Sequence, residues 1–110
     1  MTPDRTWKAT ERAVASILGG QRAGPRGAHP DVEHAWLAVE VKHRDKVPDW
    51  LKEAMAQAVR NSPGASHLPV VVLHESGQRH GEDLVIIRLS DFVDWLGGEN
   101  GIYGKRPRGW

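Results

Sequence analysis

Residues 68–73, Leu-Pro-Val-Val-Val-Leu, form an unbroken apolar run of strand length. A strand wetted on one side alternates polar and apolar side chains, so a run without alternation reads as a strand inside a sheet covered on both faces. Residues 84–89, Leu-Val-Ile-Ile-Arg-Leu, give another strand after the polar turn 75–82. Cover for such a sheet has to come from helices, and the chain supplies them. Residues 6–18 place Trp7, Val14, Ile17 and Leu18 at helical spacing among the good formers Ala9, Ala13 and Ala15, and Gly19-Gly20 stops the run. Pro48 suits the first turn of a helix through Trp50, Leu51, Ala54, Met55, Ala58 and Val59, which Ser62-Pro63-Gly64 breaks. Ser90 would cap a last helix carrying Phe92, Val93, Trp95 and Leu96.

Between the first two helices, residues 21–23 suggest a short strand. Val32 and His34 then alternate with Asp31 and Glu33, and beyond a turn near Ala35, Leu37, Val39 and Val41 alternate with Ala38, Glu40 and Lys42. The order is helix, hairpin strands, helix, strand, strand, helix, which predicts an α/β fold with a central mixed sheet flanked by helices. A chain of 110 residues holds one core of ordinary size, here expected over residues 1–98, with residues 99–110 as a basic tail. With 26% charged and 39% hydrophobic residues the composition is that of a folded domain, and no apolar stretch approaches a membrane span. Met1-Thr2-Pro3-Asp4 shows neither a charged nor an apolar leader character, so a cytoplasmic protein is expected.

Cysteine is absent, so thiolate catalysis and thiolate metal sites are excluded and any metal must be held by carboxylates, imidazoles or backbone oxygens. The net charge of +1 divides unevenly, into +3 over residues 1–26, −4 over 27–96 and +2 from residue 97 onward. Basic ends about an acidic middle suit a polyanion partner, with carboxylates gathered round a cation.

The stretch 30–42, Pro-Asp-Val-Glu-His-Ala-Trp-Leu-Ala-Val-Glu-Val-Lys, carries the chemistry. Side chains alternate along a strand, so Glu40 and Lys42 share one face while Val39 and Val41 point into the opposite layer. A turn at Ala35 and Trp36 would set Asp31 directly across from Glu40; Ala-Trp is poor turn chemistry, but any nearby antiparallel register clusters Asp31, Glu40 and Lys42. Glu11 adds a further group. It lies four residues after Trp7 and three before Val14, on the apolar stripe of the first helix, where an unpaired carboxylate is costly and a cation would satisfy it.

These residues resemble the PD-(D/E)XK nuclease superfamily: Pro30-Asp31, a spacer, Glu40-Val41-Lys42, a helix-borne Glu11 upstream and the strand, helix, strand order downstream. The likeness spans roughly residues 5–96, judged by element order. It implies a restriction-endonuclease-like core in which Asp31 and Glu40 hold Mg2+ with the Val41 carbonyl. Glu11 would meet the metal directly or through water, and Lys42 would orient or polarise the attacking water. Mn2+ suits the same oxygen ligands. Small size, the Glu11-Arg12 pair and the compact spacing are most similar to the Holliday junction resolvases, phage-type ones included, which implies a homodimer making paired nicks across four-way DNA junctions. Archaeal-type members carry a serine in the loop before the metal aspartate; residues 19–29 hold none, and Arg22 and Arg26, with Lys8 and Arg12, are the candidate phosphate contacts.

Other residues carry less. Gln57 resembles a glutamine that related nucleases place near the site, and Glu33 points to the same face as Asp31; a solvated helix residue and a polar edge residue are the plain alternatives. Glu40 and Lys42 themselves would form a surface ion pair if nothing else joined them. His29, His34 and His43 lack a convincing third zinc ligand, and His74 reads as a satisfied residue at a strand end. The glycines at 19, 20, 24 and 27 lack the Gly-Lys-Ser/Thr ending of a phosphate loop. Trp7, Trp50 and Trp95 read as core, while Trp36 at the turn and Trp110 at the tail could stack on bases or seal a dimer. Two further readings compete with junction cleavage: the same nuclease fold acting on nicked, flap or repair DNA, and a DNA-binding or assembly protein without catalysis.

Overall fold

A computed structural model of the chain describes residues 3–24 and 29–97. Contacts group into two compact units, one built on the chain up to Asp45 together with the segment from Val93, the other on Lys46–Phe92.

The first unit opens with α1 (Pro3–Leu18), in which proline occupies the first turn, where no amide proton is needed. Gly19 ends it in the left-handed region at φ 76°. Its N–H bonds the Ser16 carbonyl at 3.2 Å and the N–H of Gly20 bonds that of Ala15 at 2.8 Å, so two of the last carbonyls of the helix are satisfied in a Schellman closure. Glu11, Ala15 and Leu18 form the buried stripe. Trp7 and Ile17, expected on that stripe, are exposed: Ile17 lies about 120° round the helix from Glu11, while Trp7 is in phase with Glu11 but one turn nearer the helix start.

Two short strands cover α1. β1 (Gln21–Arg22) pairs antiparallel with β2 (Val32–Glu33), Gln21 opposite Glu33 and Arg22 opposite Val32. Val32, 1% exposed, is the plug of this unit, and burying such a side chain contributes about 1.5–3 kcal/mol. Gly20 passes so close that a Cβ there would overlap the Glu33 carbonyl and stand 2.9 Å from Val32 Cγ1.

Residues 37–41 do not continue the sheet. An isolated antiparallel bridge joins Val32 and Val39, the register that a turn at Ala35-Trp36 implies, and the ladder stops there. The reason is visible at Val41. Its N–H is taken at 2.7 Å by the Asp31 carboxylate, a side-chain acceptor in place of a strand carbonyl.

His34 closes the unit. Its Nε2 lies 2.8 Å from the Leu18 carbonyl at the end of α1, and its Nδ1 accepts the N–H groups of Trp36 at 3.3 Å and Leu37 at 3.2 Å. An acceptor at Nδ1 and a carbonyl at Nε2 require the neutral Nε2–H tautomer.

In the second unit, Pro48 flanks α2 (Asp49–Arg60) with extended dihedrals, and its carbonyl accepts from Leu51 and Lys52. Asp49 in the first turn and Arg60 in the last complement the helix dipole. Leu51, Ala54, Met55, Ala58 and Val59 line the half-buried face, and α2 packs on β3. β3 (Val71–Leu73) pairs antiparallel with β4 (Leu84–Ile86) across a turn containing a 3₁₀ segment, His80–Glu82. α3 (Leu89–Leu96), of which only the part up to Phe92 belongs to this unit, begins with the Phe92 N–H on the Arg88 carbonyl, so Ser90 lies inside the helix and not at its cap, and Arg88 pairs with Asp91 across the first turn at 2.8 Å.

The class is α/β as expected, but the pairing differs. Among the described residues the strands form two antiparallel two-stranded sheets, not a central mixed sheet, because each strand is only two or three residues long and pairs with its sequence neighbour. Nor is the 68–73 run covered on both faces: Val70, Val72 and Leu73 are exposed, as are Leu84 and, at 64%, Val85. Trp50 and Trp95, expected in the core, are exposed as well. The 47 residues of the second unit have too little volume to enclose both faces of a helix and a hairpin. No helix among the described residues is long and apolar enough to cross a membrane.

Candidate functional site

On the first unit, Trp7, Glu11, Asp31, Val41, Lys42, His43 and Arg44 line a cleft of about 250 Å³. Helix α1 supplies Trp7 and Glu11, the residue before β2 supplies Asp31, and the segment after the Val39 bridge supplies the rest.

Glu11 is 6% exposed. Its place on the buried stripe of α1 demands a cation, and the structure provides Arg22: the guanidinium Nε donates to Glu11 Oε2 at 2.7 Å. The cation at this carboxylate is therefore a side chain from β1. Arg22, expected to contact phosphate, is 20% exposed at its side chain and also stands 5.6 Å from the Trp7 ring centre, with Lys8 Nζ 5.7 Å from the same ring.

Asp31 is fixed at three points. Its N–H donates to the Val39 carbonyl at 2.8 Å, its carbonyl accepts the Ala23 N–H at 3.0 Å, and its Oδ2 accepts the Val41 N–H. Such a carboxylate is preorganised, because backbone on both sides holds it. Lys42 stands exposed in the cleft.

His43 and Arg44 are cleft residues that sequence reasoning assigned no role. Thr10 Oγ1 donates to the Thr6 carbonyl at 3.1 Å, so its contact with His43 Nδ1 at 2.7 Å needs the ring to donate, which leaves Nε2 as the acceptor. A signal for this existed in the threonine beside Glu11, one position round the same helix, and in a histidine directly after the Glu-x-Lys stretch.

The remaining candidates lie elsewhere. Glu40 is exposed and does not line the cleft, and no ion pair joins it to Lys42 among the described residues. Glu11, Asp31 and Glu40 do not bring ligand atoms within 4.8 Å of one another. Arg12 and Lys8 are exposed on α1, and Glu33 is exposed on β2. Gln57 is exposed on α2, in the other unit. Arg26, Trp110 and the tail 99–110 lie outside the described residues. His29 contacts the Pro30 carbonyl, His34 the end of α1 and His43 Thr10, so these three imidazoles serve separate partners.

Chemically the cleft combines two carboxylates, an ammonium, a guanidinium and an imidazole beside an indole face. Compared with known proteins, the chain matches no family model, no curated protein and no solved structure.

Proposed function

We propose that the chain is a metal-dependent DNA endonuclease of the PD-(D/E)XK type, with a restriction-endonuclease-like core, resolving four-way junctions as a homodimer. The observation that carries the reading is the shared cleft of Glu11, Asp31, Val41 and Lys42, residues spread over 32 positions of the sequence. Chance placement of one helical carboxylate, one strand-end carboxylate and one lysine at a single concavity is a weaker account than a common chemical task.

The donor set suits a hard dication. Asp31 and the Val41 carbonyl would hold Mg2+ or Mn2+, with Glu11 assisting directly or through water, while Glu40, which stands outside the lining, would have to turn into the cleft to complete the set. Such an ion, when bound, makes a coordinated water easier to deprotonate and offsets charge developing on the phosphate. The chain's own residues do the rest. Lys42 orients the attacking water, Arg44 meets a phosphate oxygen, and the basic groups Lys8, Arg12, Arg22 and Arg26 fix the DNA backbone without reading its bases. Arg22 has a double part, because it now occupies the carboxylate that an ion would also seek.

A second reading has support in the same cleft. Glu11 is already neutralised by Arg22 and Glu40 stands outside the lining, which favours a DNA-binding or assembly protein that does not cleave. Cleavage of a labelled four-way junction, beside linear, nicked and flap DNA, with Mg2+, with chelator and with Asp31→Asn, separates them. The asparagine keeps an oxygen for the Val41 N–H, so the local fold is retained. Paired symmetric nicks confined to the junction, lost with chelator and with Asp31→Asn, are expected. Metal-dependent cutting of the other forms keeps the nuclease and moves its substrate; tight binding without cleavage under either metal replaces it with the binding protein.

A further inference from the structure

The β3–β4 hairpin carries a separate group of side chains with its own chemistry. Its register pairs Leu73 with Leu84, so the next rung sets His74 opposite Asp83, and the 3₁₀ segment His80–Glu82 returns His80 to the same place. His74 Nδ1 lies 2.6 Å from Asp83 Oδ1 and His80 Nδ1 lies 3.1 Å from Oδ2. The two rings stand side by side, centres 4.4 Å apart and planes 31° from parallel. One ligand atom from each of the three residues lies within 4.8 Å of the other two, a condition that no other group of histidines and carboxylates meets among the described residues. We propose that His74, His80 and Asp83 form a binding site for a late first-row divalent metal, Zn2+ in the first instance.

Three physical points carry this. Two imidazoles and one carboxylate are borderline donors that favour zinc and its neighbours over magnesium. Zn–N and Zn–O bonds near 2.0–2.2 Å in tetrahedral array require ligand atoms about 3.3 Å apart, so the two N–O contacts of 2.6 and 3.1 Å need to open by less than about 1 Å, and the exposed His80 ring supplies any further movement. The burial is graded as a site requires: the Asp83 side chain is 11% exposed and anchored, while that of His80 is 85% exposed and free to adjust. Both rings now direct Nδ1 at one carboxylate. An ion would replace those two hydrogen bonds, each neutral ring carrying its proton on Nε2 instead. Three protein ligands leave an open coordination position, and His74 also lines a cavity of about 400 Å³ with Leu73, Glu75, Gln78, Glu82 and Leu84, so a water or a small anion has access.

The test uses the full chain, stripped with chelator and titrated with Zn2+ by calorimetry and with Co2+ by visible absorption. One equivalent binds with a dissociation constant in the micromolar range or tighter, the cobalt form shows the strong visible bands of a four-coordinate ion, and millimolar Mg2+ does not compete. His80→Ala removes an exposed ring and leaves the fold intact; it and Asp83→Asn each weaken zinc more than about 100-fold, beyond the loss that follows removal of an outer partner of a ligand. Binding no tighter than millimolar, or binding that both variants leave unchanged, overturns the proposal, the latter by placing zinc on other histidines. Should Asp83→Asn fail to fold, His80→Ala alone decides.

Discussion

Replacing Arg22 by methionine tests what holds the first unit together. Methionine keeps an apolar stem beside Trp7 and removes the guanidinium, leaving Glu11 ionised on the buried stripe of α1. Breaking one side of a buried ion pair costs about 3–5 kcal/mol, because the remaining charge loses both its partner and its water. Arg22 is 20% exposed at its side chain, so water reaches the vacated space and the lower end, about 3 kcal/mol, applies. Unfolding entropy near 2.1 cal/mol/K per residue gives about 0.23 kcal/mol/K for 110 residues, so the midpoint falls by about 13 °C. Urea and thermal unfolding followed by far-ultraviolet circular dichroism measure both quantities. In the double variant Glu11→Leu, Arg22→Met, neither charge remains buried, and most of the loss is recovered. Magnesium adds a second arm: if Glu11 serves an ion, Mg2+ raises the midpoint of Arg22→Met more than that of the parent. A single variant within about 0.5 kcal/mol of the parent, the scale of an exposed pair, or a double variant no more stable than the single one, refutes the reasoning.

Gly20→Ala drives a Cβ into the Glu33 carbonyl, a backbone atom that cannot swing aside, and costs about 2–3 kcal/mol by urea unfolding; Gly81→Ala meets nothing and stays within about 0.5 kcal/mol. Asp31→Ala leaves the Val41 N–H without its acceptor and costs about 1–2 kcal/mol more than Asp31→Asn, a difference that equilibrium unfolding of the pair reads directly. Lys42→Met, at an exposed position, keeps stability within about 0.5 kcal/mol and lowers junction cleavage by about 100-fold or more in single-turnover assays; unchanged cleavage removes Lys42 from the chemistry.

Much of the secondary structure was legible because local chemistry dictates it. Gly19-Gly20 ends α1, Pro48 opens α2, and the polar stretch after Leu73 turns the hairpin. The burial of Glu11 followed from its helical phase alone. Its partner did not, since Arg22 reaches it through the path of β1, and nothing in a linear spacing tells a guanidinium that turns inward from one that faces solvent. The strand expected at residues 37–41 failed for a similar reason: alternation describes side chains, whereas the ladder was interrupted by a carboxylate binding a main-chain amide. His74 read correctly as a residue at a strand end, yet its neighbours follow from the hairpin register, which sets residue 74 against 83. The apolar run misled because an uninterrupted sequence of valines reports affinity for cover, and the small second unit does not supply it on both sides.

The His34 ring has a consequence for the order in which the first unit assembles. It ties the last carbonyl of α1 to two amides of a turn that comes 18 and 19 residues later, so this tie can form only once the helix end exists. Helix formation is fast and local, whereas closing the intervening loop carries an entropic cost that only later contacts offset. The ring therefore acts late in folding, as a latch on a helix already made, and its loss would speed unfolding more than it slows folding. In native-state hydrogen exchange the amides of Trp36 and Leu37 should open together with the end of α1 as one cooperative unit, well ahead of global unfolding.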